Sequence, residues 1–476
     1  MNILAIDQGT SATKALVVSP DHRVLAEASV PVSSRTVGRD GVEQDPEELW
    51  ASVLAAGRAA LAQAAVSVGA IGFANQGETV LAWERASGRA LSPAISWQDR
   101  RALEICEALS EFAEELYART GLPLDPYFAA PKMRWLRERC TAAGVCTTTD
   151  TWLLHRLTGA YVTDAATASR TLLLDLDTLQ WSPQACAHFA VEPASLPTVV
   201  GCAEPIGETA AFGGSVPVTG VAVDQQAALF AEACLTTGDA KCTYGTGAFL
   251  LANAGTRPRR SGCRLAACVA WKLGGDATYC LDGQVYTAGA ALTWLERLGL
   301  ISRSADLDRV ASRVEDGGGA IFVPSLAGLA APFWRPAARG GFVGLSLATE
   351  RAHLIRAVVE GIAAQVAWLA RSLEQDLGCP LLRLRVDGGL TRSKLLMQTQ
   401  ADLLQAPVEV YPSPNATALG IAALARLGSG AARTAAQAVG SWLPEVVYEP
   451  RASADEAGAR LDTWRRAAEA IMTLKG

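Results

Sequence analysis

The chain has 476 residues, half of them hydrophobic and 19% charged, with a formal net charge of −6. Cores tend to split beyond roughly 250–300 residues, so two large domains are expected, and the hydrophobic share excludes a disordered chain. The mild charge and the scatter of the 42 basic residues argue against nucleic-acid binding by charge attraction.

Residues 3–7 and 13–18 read as two strands joined by a turn at Gly9, a hairpin whose tip carries Gln8, Thr10 and Ser11. Asp7 interrupts the apolar opening, so no secretion signal is expected. Asp45, Pro46, Glu47 and Glu48 combine a capping acid, a first-position proline and first-turn acids, and predict a helix running through Leu61. The uncharged stretch 59–77 is long enough to be tested as a membrane span, but Gln63, Ser67, Gly69, Asn75 and Gln76 make it too polar. It reads as a helix end, a turn and a buried strand over 70–73, and no membrane insertion is expected.

Asn75, Gln76, Gly77 and Glu78 then form a polar turn between that strand and the next, over 79–83, a pattern that suggests a lined cleft. Helices are expected over 101–120 and 151–158, and a strand over 218–223 after the turn at Gly213. Eleven cysteines without a Cys-x-x-Cys pair read as free thiols of a reducing, cytoplasmic compartment, and the four histidines show no zinc-type spacing.

A repeat organises the chain. "DQGTSATKAL" and "TYGTGAFLLA" align Gly9 with Gly245, Thr10 with Thr246 and Ala12 with Ala248, an offset of 236 residues that is close to half the length. A duplicated domain places its copies in this way. In the second half, residues 353–373 carry a helical apolar stripe read as core, and a strand over 382–386 ends on Asp387, Gly388 and Gly389.

Three aspartates therefore end apolar strands: Asp7, Asp224 and Asp387. In open α/β folds the crevice at strand ends holds ligands, and acids there reach a metal-bound nucleotide. The hairpin tip offers backbone N–H groups over 9–12, the hydroxyls of Thr10 and Ser11, and Lys14; the repeat supplies a second tip. Two such tips facing each other clamp a triphosphate without a long glycine loop.

"DQGTSATK", "GVEQDPEELW", "NQGETVLAW", "SWQDRR", "TGLPLDPYFAAPKMRWL", "TDTWLLHRLTG", "ATASRTLL", "DQQAALF", "TYGTGAFLLANAG", "RVDGGLTRS" and "ATALGIAAL" follow one another in an order that resembles the FGGY carbohydrate kinases, most closely the glycerol kinases among them. The resemblance covers about residues 1–450. It implies two actin-like (ribonuclease H-like) α/β ATPase domains, over 1–230 and 231–476, closing a central cleft over ATP, Mg2+ and a small polyol.

Matched position by position, the resemblance implies that Asp224 is the catalytic base and that Asp7 orients the magnesium. Thr10, Ser11, Lys14 and Thr246 match phosphate contacts; Gly289, Gly389 and Ser393 match positions near the adenosine. Glu78, Trp97, Tyr127, Asp224, Gln225 and Phe249 match the polyol pocket. Gly77 departs from the pattern, because glycerol kinases carry a substrate-binding arginine there. Either glycerol is bound more weakly, or the space admits a four- or five-carbon polyol or a ketopentose such as xylulose, or a neighbouring basic residue takes the arginine's place. Val223 and Ala129 are lesser departures that bear on pocket shape. A nucleotide-dependent binding protein on the same fold is the alternative outside enzymes. The resemblance is compatible with a homodimer or a homotetramer.

Overall fold

Ile3–Gln8 (β1) and Ala12–Val18 (β2) pair antiparallel, from Ile3 against Val18 to Gln8 against Thr13, and Val24–Pro31 (β3) extends the sheet beyond β2. The computed structural model describes residues 1–473. Helix Pro46–Ala64 (α1) begins where its signals stand: the Asp45 carboxylate accepts from the Glu47 N–H, and proline leads the first turn. It stops at Ala65, which takes a left-handed φ of 51°, and the chain enters the fully buried strand Ala70–Asn75 (β4). The long uncharged stretch is thus a helix end, a turn and a core strand.

Strand Val216–Val223 (β5) lies parallel to β4, and β4 parallel to β1, with Gly207–Thr209 at the edge. The resulting order is edge–β5–β4–β1–β2–β3. Parallel strands bring their carboxyl ends to one rim, which is where Asp7, the Asn75–Glu78 turn and Asp224 stand. Helix Asp224–Ala231 (α2) starts directly from the end of β5.

The second half repeats this plan. Ala240–Tyr244 (β6) and Ala248–Gly255 (β7) form the hairpin, Ala266–Leu273 (β8) and Asp276–Val285 (β9) continue from β7, and Gly289–Arg297 (α3) follows. After the long helix Arg351–Leu377 (α4), Leu384–Asp387 (β10) pairs parallel with β6. Helix Lys394–Leu404 (α5) leads to Val408–Val410 (β11), parallel to β10. The order β8–β9–β7–β6–β10–β11, with Val447–Tyr448 at the edge, matches the first sheet around its hairpin, as the repeat of Gly9 at Gly245 suggests.

Helix Ala416–Gly428 (α6) belongs to the second half of the sequence yet packs on the first sheet and on α2. Small residues make this approach possible. A Cβ on Gly420 would stand 1.8 Å from the Ala227 carbonyl oxygen, one on Gly428 1.9 Å from that of Thr219, and one on Gly72 2.5 Å from that of Ile421.

Three local expectations are corrected. The helix over 101–120 is broken into Leu103–Ala108, a 3-10 turn at Ser110–Phe112 and Ala113–Thr120, because the chain turns to bury Leu109. The strand expected from 382 starts at Leu384, and Leu382 is exposed. Along α4, Val358, Ile362, Val366, Leu369 and Leu373 are buried as expected, but Ile355 rather than Leu354 completes the stripe. By length and composition α4 is apolar enough to cross a membrane; here 72% of that stretch is buried inside the protein.

Candidate active site

Both hairpin tips and the polar turn line one cavity of about 340 Å3. It is walled by Thr10, Ser11, Gly77, Glu78, Trp97, Tyr127, Arg170, Asp224, Gln225, Thr243, Gly245, Thr246 and Phe249, among others. Ten of the sequence-derived positions are in that wall: all seven assigned to the polyol pocket, Gly77 included, and Thr10, Ser11 and Thr246.

The aromatic wall draws on both halves of the chain. Trp97 stands edge-on to Tyr127 and to Phe249 of β7, with ring centroids 5.9 and 5.8 Å apart. The Trp97 indole donates to Thr10 Oγ1 at 2.9 Å, and Thr10 Oγ1 donates to Gln76 Oε1 at 3.2 Å. Gln76 in turn donates to Gln44 Oε1 at 2.8 Å, and Gln44 donates to the Thr10 carbonyl at 2.8 Å. This closed set of side chains fixes the first hairpin tip against the pocket wall.

Glu78 is buried and has a left-handed φ of 55°, a costly conformation for a side chain larger than glycine. Burial pushes its carboxyl up to about 7, with Arg170 and Lys132 pulling the other way. The buried Lys132 ammonium donates to the carbonyls of Pro126, Tyr127 and Phe128 and so holds the Tyr127 loop in place; burial brings it down to about 8.

Asp224 sits at the mouth of α2, partly accessible from the cavity but deep within the cleft. Burial raises its carboxyl above the ordinary range, opposed by Lys241, by the Gln225 N–H at 2.7 Å and by Arg170. Lys241 is fully buried in β6 and donates to Gln225 Oε1 at 2.6 Å and Thr243 Oγ1 at 2.7 Å. Asp7 is raised to about 7 by burial and by the charge of Asp224, while Lys14 lowers it and Asp387 raises it further. The three strand-end aspartates therefore share one electrostatic environment, and Asp387 Oδ1 is buried with no partner.

The remaining sequence-derived positions lie outside the cavity wall. Lys14 donates to Asn415 Oδ1 at 3.2 Å, and Asn415 donates to Glu27. Gly289 opens α3 against the second tip, and a Cβ there would stand 2.6 Å from the Gly245 carbonyl oxygen, so its bareness also serves packing. Gly389 is exposed with open space around it. Ser393 caps α5 and donates to Asp308.

Sequence reasoning passed over Arg170, Lys241 and Asp282. Arg170 is 2% exposed; it donates to Glu78, to Asp282 at 2.6 Å, to Tyr127 Oη at 3.1 Å and to Cys268 Sγ at 3.3 Å. Burial works against its charge, but the carboxyls of Glu78 and Asp282 outweigh it, so it stays ionised. The available signal was a lone charge inside an apolar run: Lys241 in β6 and Asp282 in β9.

Comparison with known proteins bears on the family and the fold. The chain is 44% identical to a glycerol kinase of Thermus brockianus and 42% identical to one of Myxococcus xanthus, with 98% of each chain covered in both cases. The crystal structure of Plasmodium falciparum glycerol kinase with ADP superposes with a TM-score of 0.90 at 30% identity, covering 100% of this chain and 99% of that one. Sequence models of the N-terminal and C-terminal domains of the FGGY carbohydrate kinases match residues 2–231 and 240–428. The chain belongs to the FGGY family of carbohydrate kinases.

Proposed function

We propose that this kinase transfers the γ-phosphoryl group of ATP to a terminal hydroxyl of glycerol, giving glycerol 3-phosphate. The observation that carries the reading is one cavity bounded by a deep carboxylate, two hairpin tips and an aromatic wall. Relatives named glycerol kinase, alike over nearly their whole length, support it.

Phosphoryl transfer needs alignment and charge neutralisation more than covalent help. Asp224 accepts the proton of the attacking hydroxyl, and Gln225 and Glu78 bind the polyol hydroxyls between the Trp97, Tyr127 and Phe249 rings. The backbone of the two tips, with Thr10, Ser11, Thr246 and Lys14, holds the phosphates; Gly289, Gly389 and Ser393 flank the adenosine. Closure of the cleft excludes water, which limits hydrolysis of ATP.

The acids of the cleft fit a magnesium ion carried by the nucleotide. Asp387 Oδ1 has no protein partner, and the raised Asp7 carboxyl stands among like charges that a cation offsets. Asp7 would hold the ion, which neutralises charge on the transferring phosphate. Among the described residues no three His, Cys, Asp or Glu side chains form a closed metal site. Magnesium commonly uses one or two carboxylates with water and substrate phosphates.

Eleven unpaired thiols support a cytoplasmic setting. The test of the reading is direct: incubation with ATP, Mg2+ and glycerol is expected to give ADP and a new phosphomonoester seen by 31P NMR. Nucleotide binding without any phosphomonoester would leave the non-enzyme reading instead.

A further inference from the structure

The buried guanidinium of Arg170 lines the same cavity as Asp224 and Gln225. It is wedged between Glu78, on the first-half side, and Asp282 of β9, on the second-half side. It stands beside Gly77, where the glycerol kinases carry an arginine. A Cβ on Gly77 would stand 3.0 Å from Val223 Cγ2 and 3.7 Å from Arg170 Nε, so Gly77 borders the guanidinium at ordinary contact distance.

A guanidinium has five N–H donors. Those on Nε and Nη1 meet Glu78, Asp282 and Cys268, and one on Nη2 meets Tyr127 Oη. One Nη2 donor is left, on a side chain that borders the cavity beside two groups of the polyol pocket. Neutralising Glu78 and Asp282 alone requires no place in the cavity wall.

Resting on the kinase reading above, we propose that Arg170 is a specificity-determining residue. Its remaining Nη2 N–H donates to a polyol hydroxyl other than the one facing Asp224.

Wild-type kcat/KM is measured first with glycerol, propane-1,2-diol and propane-1,3-diol, each diol lacking one hydroxyl. No turnover of any of them overturns the kinase reading and this proposal together. Arg170→Gln is then expected to lower kcat/KM for glycerol about tenfold to a hundredfold, the usual worth of a hydrogen bond to a charged group. The loss is expected to be much smaller for the diol that lacks the contacted hydroxyl. Adding Gly77→Arg to Arg170→Gln returns a guanidinium to the same space and is expected to restore part of the glycerol activity.

Arg170→Lys keeps the charge between Glu78 and Asp282 but loses the planar fork. It serves where the glutamine variant does not fold, with the same selective loss expected. Equal losses on all three substrates in a folded variant, or no loss on glycerol, would overturn the role of Arg170 while leaving the kinase reading intact.

Discussion

The Trp97 indole donates to Thr10 Oγ1 at 2.9 Å, a bond that joins the aromatic wall of the cavity to the tip of the first hairpin. On the proposed reading, the polyol and phosphate sites therefore share a hydroxyl. Trp97→Phe keeps a ring and removes the donor; a neutral hydrogen bond contributes about 0.5–1.5 kcal/mol. The KM values for ATP and for polyol are expected to rise together by a few-fold in steady-state kinetics. A change confined to the polyol would mean that the bond does not position the tip.

Asp224→Asn removes the proton acceptor and leaves the shape. Turnover is expected to fall about 10²–10⁴-fold, the usual contribution of a general base, while calorimetry finds ATP binding retained. In the wild type, the raised carboxyl must be ionised to act, so kcat/KM declines as pH falls through its shifted range. Wild-type-like turnover by the variant would remove Asp224 from this role.

Helix α6 meets α2 through Gly420, and the obstacle to any larger residue there is the Ala227 backbone. Overpacking a tight site costs about 1–3 kcal/mol and sometimes more. Gly420→Ala is therefore expected to lower the urea midpoint clearly. An unchanged midpoint would show that the crossing has slack.

Asp164 is a buried acid away from the cleft, capping the short helix Ala165–Ala168. Burial, with Asp150 nearby, raises its carboxyl to about 7 in the folded protein from an ordinary 3.8. The folded state then holds the proton more tightly, so its contribution to stability is fullest below about pH 4 and is lost as pH climbs to about 7. Asp164→Asn is expected to flatten that part of the stability–pH curve measured by urea unfolding; an unaltered curve would assign the dependence elsewhere.

Much of the site was legible because its acids stand at the ends of apolar strands. Asp7, Asp224 and Asp387 each follow such a run, and parallel pairing brings those ends together. The hairpin repeat was legible for a similar reason, since Gly9 with Thr10 and Gly245 with Thr246 recur at the tips of two antiparallel pairs. Arg170 was not, although its motif was noted. Its partners Tyr127, Glu78 and Asp282 lie 43, 92 and 112 residues away, and no local spacing displays a contact of that range. The break near Leu109 was hidden likewise, because tertiary burial overrode a helical pattern. The placement of α6 on the first sheet depends on backbone approach between distant glycines, which composition alone does not pair.

Gly77 bears on the length of the substrate. Arg170 borders it, and the relatives named glycerol kinase make glycerol the expected substrate. The most direct measurement is kcat/KM by coupled ADP release, with ATP and Mg2+, for glycerol, erythritol, ribitol, xylitol and xylulose. Glycerol is expected to give the highest value. A higher value for xylulose or a longer polyol would contradict the account and make Gly77 a door to a larger substrate.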